Sequence, residues 1–278
     1  MVWATYKEKI KRLSQRLVDA QRPIRILDAI KWDPSVEAEL RKGKFKKMPI
    51  VGPEQYALIE LGFDPKAKLD ELGEIVTDIR TTLGAEDPLT GLLVSITEQY
   101  IDVVHMLLNR GTRKFWEYSC KLYGSPKDRF FEDKNRILDL GQLLYSILGR
   151  IDDTHLGTTD PEDVPADAVV EELNRRFKTY FGDEGVEARI SDGIIADAAA
   201  GSDVVKVKQG AMFSRRDVDI LEVHEGWVHV GSTRNGMQQR VAKWLSKGPP
   251  RCSATQEGLA VIMEIFTFRS YPRRAKHI

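Results

Sequence analysis

Cysteine is scarce: Cys120 and Cys252 are the only two in 278 residues, and they sit in unrelated segments. No disulfide framework can be built from such a pair, which fits a reducing compartment. Net charge is absent as well. Lys+Arg and Asp+Glu both number 42, so no overall field recruits nucleic acid or an anionic membrane. No stretch reads as the roughly eighteen apolar residues of a membrane span. The opening Met1-Val2-Trp3-Ala4-Thr5-Tyr6-Lys7 turns charged before an apolar core can build up, so no secretory signal is expected. A cytoplasmic protein with neither nucleic acid nor membrane as partner is the expectation.

What is present describes a globular chain, 42% hydrophobic and 30% charged, long enough for one large domain or two small ones. The run Arg41-Lys42-Gly43-Lys44-Phe45-Lys46-Lys47 reads as a solvated connector, because no nucleic-acid-reading fold accompanies it. The first half is helical in texture. Ile10, Leu13 and Leu17 predict an amphipathic helix over residues 2 to 20, and a short one follows over 24 to 32. Asp33-Pro34 and the prolines at 49 and 53 bracket a stretch expected to be irregular. Longer helices are predicted over 66 to 83 and 88 to 109, then over 112 to 123, 134 to 151 and 166 to 181. His105, among Val103, Val104, Met106 and Leu107, reads as a packed histidine, since no acidic or sulfur partner has helical spacing to it.

Asp152, Asp153, His155, Thr158, Thr159 and Asp160 form a polar connector whose oxygens follow no cation-loop spacing. The expected division is therefore a helical N-terminal region, 1–155, and a mixed region, 156–278. Within the second, residues 186 to 191 and 204 to 208 alternate with a two-residue period, which predicts a small antiparallel sheet. Lys206 and Lys208 on one face mark its last strand as an edge, where an extended peptide can dock.

Immediately downstream stands His224-Glu225-Gly226-Trp227-Val228-His229, an HExxxH pattern. Two imidazoles can hold a transition metal and the glutamate between them can serve as general base. The familiar spacing is one residue shorter. At about 100° per residue, histidines five apart on an α-helix diverge by roughly 140°. A single π-type turn would bring them back to one side, and Gly226 weakens the preference for regular helix. The bland alternative is two of the chain's five histidines falling near a glutamate by chance.

A third ligand decides between them. Ser214 and Asp217 form a capping-box pattern that opens the histidine helix, and Asn235-Gly236 is expected to close it, with a shorter helix over 239 to 245. Ser253 and Gln256 repeat the box, placing Glu257 in the first turn of a second helix, where the macrodipole favours its ionised form. His224, His229 and Glu257 would thus supply a two-histidine, one-glutamate zinc set with the fourth position left for water. Gly258 beside it would let a backbone or substrate approach. Glu264, seven residues on, is the second choice for ligand or for a partner behind a ligand. Glu222 is expected to face solvent.

The run Cys252-Ser253-Ala254-Thr255-Gln256-Glu257-Gly258-Leu259-Ala260, following the HExxxH hexapeptide and Thr233-Arg234-Asn235-Gly236, resembles the bacterial flavohemoglobin expression-modulating QEGLA motif proteins. It is similar also to the related microtubule-associated tyrosine carboxypeptidase family. The resemblance covers about residues 186 to 271. It implies a zincin-like unit with zinc on His224, His229 and Glu257 and with Glu225 as catalytic base. For eukaryotic members it implies removal of a C-terminal tyrosine from tubulin. It also implies a chain running well past the glutamate helix, so this one is expected to be either a fragment lacking one wall of the cleft or a shortened relative.

The expectation from the sequence is an α+β, mostly helical protein: a zinc carboxypeptidase acting on a peptide or protein C-terminus. The rival readings are a metal-binding regulatory or interaction protein without turnover, and a metal amidase or esterase. Retention of Glu225 weighs against the regulator, because a structural metal needs no base. A cation must meet the substrate carboxylate. Arg234, Lys206, Arg269 and Arg273 are near in sequence, although each also reads as plain surface charge. Tyr271 is a candidate for steadying the oxyanion.

Overall fold

A computed structural model describes residues 2–130, 132–150, 160–183, 185–194, 196–201, 203–271 and 274. Asp152, Asp153, His155, Thr158 and Thr159 of the expected connector lie outside them, as do Arg273, Ala275, Lys276 and His277. The described chain is mostly helical with small sheets, an α+β protein. By internal contacts it forms two compact units, residues 1–124 with 240–251, and residues 125–239 with 252–278. The division expected at 155 lies outside the described residues.

The first unit begins with α1, Val2–Gln21, whose buried Ile10, Leu13 and Leu17 are the positions its periodicity selects. The short α2, Ile26–Ile30, follows. The stretch expected to be irregular contains α3, Pro34–Lys42, because Asp33 accepts a hydrogen bond from Ser35 N at 2.8 Å and Pro34 opens the helix. None of its side chains is buried. After α4, Pro53–Ala57, come the long α5, Pro65–Leu83, and α6, Pro88–Leu108. Each is capped by an aspartate: Asp64 accepts from Ala67 N and Asp87 from Leu89 N, both at 2.8 Å.

Leu72, Ile75 and Ile79 of α5 share one core with Leu93, Val103, Val104 and Leu107 of α6 and with the buried face of α1. Contrary to the reading of the sequence, α6 is long and apolar enough to cross a bilayer; 61% of its apolar window is buried inside the protein. His105 stacks on Tyr118 of α7, Arg113–Tyr123, with ring centroids 5.6 Å apart. Residues 240–251 return to this core. Trp244 is buried there, its backbone N–H donating to Ser14 Oγ at 2.9 Å, while Lys247 Nζ donates to Gln21 O at 3.1 Å. The helix expected over 239 to 245 is only a 3₁₀ turn, Lys243–Ser246.

The second unit holds α8, Ile137–Leu148, and a two-residue strand β1, Val164–Pro165, leading into α9, Ala166–Phe181. Strands β2, Glu187–Ser191, β3, Ala198–Ala200, and β4, Val204–Lys208, form a sheet in the order β2-β4-β3. It is mixed rather than antiparallel. β2 runs parallel to β4, with Ala188 opposite Val205, and β3 runs antiparallel to it, with Ala199 opposite Lys206. β4 is therefore central, not an edge: Lys206 marks the face turned from the core, while Val205 and Val207 are fully buried. That buried face meets Val169, Leu173 and Phe177 of α9. β5, Met212–Phe213, pairs with β1 and leads into a continuous helical run. The run comprises α10, Arg215–Leu221, a π-helix, Glu222–Val230, and α11, Gly231–Gln238. After a second 3₁₀ turn, Pro250–Cys252, the chain forms α12, Ser253–Phe266.

Candidate metal centre

The capping box expected at the start of the histidine helix is formed. Ser214 Oγ accepts from Asp217 N at 3.2 Å, and Asp217 Oδ2 accepts from Ser214 N at 2.8 Å. The π-type turn expected within the HExxxH segment spans all nine residues from Glu222 to Val230, and Gly231 N donates back to Gly226 O, five residues away. With bonds closed at that interval, residues five apart take the relation that residues four apart have in an α-helix. The rings of His224 and His229 accordingly lie 5.0 Å apart, centroid to centroid.

Gly226 has a steric reason beyond propensity. A Cβ built there would stand 2.4 Å from Cε1 of the fully buried Phe177. The absent side chain lets α9 press against the π-helix backbone.

Glu257 arrives from α12, but by a different local route from the one expected. Cys252 precedes the helix in right-handed helical conformation, so Ser253 is already its first residue and no side-chain cap forms. Glu257 is the fifth residue and lies past the first turn, where the macrodipole acts less. Its carboxylate instead meets both imidazoles: Oε2 is 3.4 Å from His224 Nε2 and Oε1 is 3.6 Å from His229 Nε2. One ligand atom from each residue lies within 4.8 Å of the others. An ion held at 2.0–2.1 Å in tetrahedral geometry separates its ligand atoms by about 3.4 Å, so this donor set fits a divalent metal. The histidine side chains are 10% and 17% exposed and that of Glu257 is 62% exposed. The group therefore opens to solvent on its carboxylate side.

Behind His224 stands Glu264, whose Oε1 lies 2.7 Å from Nδ1. Its side chain is fully buried and receives Arg274, with Nη2 3.0 Å from Oε1 and Nε 3.3 Å from Oε2. Burial disfavours a charged His224, but the hydrogen bond to Glu264 and the charges of Glu225, Glu264 and Glu257 outweigh it and raise its pKa. Burial likewise works against a charged Glu264, yet His224 and Arg274 hold its carboxyl below the usual range.

Glu222 corrects the expectation of a solvent-facing residue. It is buried and paired with Arg176 Nη1 at 2.9 Å and Arg269 Nη2 at 3.3 Å. Arg269 also lies over the Trp227 ring, which stacks on Tyr180. Arg269 is thus engaged by Glu222 and Trp227. Tyr271, the oxyanion candidate, donates to Asp217 Oδ1 at 3.1 Å and so serves the start of α10. Lys206 lies exposed on β4, Arg234 lies in α11, and Arg273 is outside the described residues.

Compared with known families, the chain matches the model described as microtubule-associated tyrosine carboxypeptidase over residues 38–278. The chain belongs to that family. No curated protein and no solved structure matches it. The microtubule-associated tyrosine carboxypeptidase match begins far upstream of residue 186 and takes in helical segments where no motif was legible. Membership of a family described by carboxypeptidase activity and a His–His–Glu group able to hold a metal ion thus coincide in one chain. Sequence reasoning missed Phe177 and Arg274, whose roles carry no local spacing signal.

Proposed function

We propose that the protein is a zinc-dependent carboxypeptidase, built on a zincin-like unit, that removes residues from the C-termini of proteins. The observation that carries this reading is the convergence of His224, His229 and Glu257 from two helices, within a chain of a carboxypeptidase family. Two imidazoles and one carboxylate are the ligand types of catalytic zinc sites that keep a fourth position open. The family's description names tyrosine and microtubules, so a protein ending in tyrosine, tubulin among them, is the substrate to test first. Cys120 and Cys252 are both free thiols, which supports a cytoplasmic location.

When bound, zinc supplies a Lewis acid and lowers the pKa of a coordinated water toward about 7. His224 and His229 would hold it from the buried side and Glu257 from the open side. Glu225, whose charge is felt at His224, takes the proton from the attacking water. As the peptide C–N bond breaks, the same carboxyl passes that proton to the leaving amine. Glu225 thus ends the cycle in the state in which it began.

The test uses matched peptides with free and amidated C-termini, incubated with zinc-loaded wild type and with Glu225→Gln. Cleavage of free C-termini only, lost about 10²- to 10⁴-fold in kcat on substitution with zinc stoichiometry retained, is the expected result. Cleavage of neither peptide by zinc-loaded wild type would select a metal-binding regulator instead. Equal cleavage of both would select an amidase or endopeptidase.

A further inference from the structure

Arg274 is ten residues beyond Glu264 and meets it again because the chain reverses at the end of α12. Phe268 takes a left-handed φ of +57°, uncommon for a bulky residue without a purpose. The N–H groups of Arg269 and Ser270 both donate to Glu264 O, at 2.8 and 3.1 Å. The turn is therefore anchored on the residue whose side chain Arg274 then grips with two nitrogens. A carboxylate with no exposed surface is costly unless paired and hydrogen-bonded, and Glu264 has both Arg274 and His224 for that purpose.

The arrangement also fixes the His224 ring. A carboxylate oxygen at 2.7 Å can only accept from Nδ1, so a neutral ring held there donates through Nδ1 and turns Nε2, 3.4 Å from Glu257, toward the metal position. A carboxylate behind a ligating histidine sets its tautomer and raises its basicity. His229 has no such carboxylate among its described contacts, so the two imidazoles are not equivalent.

We propose that Arg274 is a positioning residue for the metal ligand His224, acting through Glu264, so that the segment after α12 sets the metal affinity of the site. The proposal rests on the metal-centre reading above and deepens it. Without Arg274, the Glu264 carboxylate loses the two-nitrogen grip that keeps it aligned, and His224 loses its fixed acceptor.

The test titrates zinc against a chromophoric chelator for the full chain as wild type, Glu264→Gln, Arg274→Gln and Arg274→Lys. Zinc affinity is expected to fall about 10- to 100-fold in the two glutamine variants, with Arg274→Lys restoring part of it. In ¹⁵N spectra of the zinc-loaded proteins, the His224 Nδ1 proton is expected to exchange with solvent faster in Arg274→Gln than in wild type. A merely structural arginine would lower the melting temperature of the metal-free chain and leave that exchange unchanged. Tight zinc binding by both wild type and Arg274→Gln would overturn the proposal while leaving the metal centre standing. Failure of wild type to bind zinc would overturn both.

Discussion

Gly226 and Phe177 are coupled by the 2.4 Å approach that any Cβ at position 226 would make to the Phe177 ring. Gly226→Ala is expected to cost about 1–3 kcal/mol of stability by overpacking, and Phe177→Leu in the same chain to recover part of it. Chemical denaturation of the single and double variants measures this; simple additivity would show that the ring is not the constraint. Gly258 behaves in the opposite way, since nothing lies within 4 Å of a Cβ placed there. As a glycine inside a helix it costs up to about 1 kcal/mol relative to alanine. Gly258→Ala should therefore raise the denaturation midpoint without altering zinc stoichiometry. If that variant also loses kcat/KM, the space beside Glu257 is used by substrate. The convergence of His224, His229 and Glu257 was legible because ligand chemistry restricts residue types and spacing. Arg274 was not, because its meeting with Glu264 depends on one left-handed residue, Phe268, that no pattern announces.

Among the elements, the sequence signals that held were those closed within a few residues. The Ser214–Asp217 box and the buried stripe of α1 depend on local geometry alone. The Ser253–Gln256 pattern failed because the 3₁₀ turn Pro250–Cys252 delivers the chain in helical conformation, which removes the extended residue that a cap needs. The order of strands was also hidden, since alternation reports which face of β4 is buried and says nothing about its neighbours. Between α1 and α5, Asp78 receives Arg12 and Arg16 at 2.7 and 2.9 Å, and the hydrogen bond from Arg12, with those from Thr82 and Arg16, holds its carboxyl at about 2. A folded pKa below the unfolded one adds stability that is present above the unfolded value and lost as pH falls through the folded value. For Asp78 the window runs from 3.8 down to about 2. The contribution is roughly 1 to 2 kcal/mol after allowance for solvent screening. Wild type should exceed Asp78→Asn in urea midpoint near neutral pH, and the gap should close by about pH 2. A gap of constant size would show that this ion pair does not anchor α1.

For the whole molecule, the notable element is the twelve-residue excursion, 240–251, which packs within the first unit although the residues on both sides of it belong to the second. Trp244 is its anchor, buried against the α1–α6 core. Trp244→Ala is expected to cost about 3–5 kcal/mol, read as a lower thermal midpoint for the first unit; a shift near zero would show the excursion to be loosely held. The helical character of this unit was readable from periodicity, whereas its recruitment of a segment more than a hundred residues downstream was not. Periodicity records which side of an element is apolar, and a return of the chain to an earlier core leaves no mark on it.

Because of that excursion, neither unit corresponds to an uninterrupted stretch of coding sequence. A single crossover cannot transplant the second unit alone: cutting at residue 125 strands Trp244 without its neighbours, and cutting at 240 separates the two histidines from Glu257. The halves are therefore bound to a shared inheritance, and whoever shuffles or minimises this scaffold must carry both or rebuild the join.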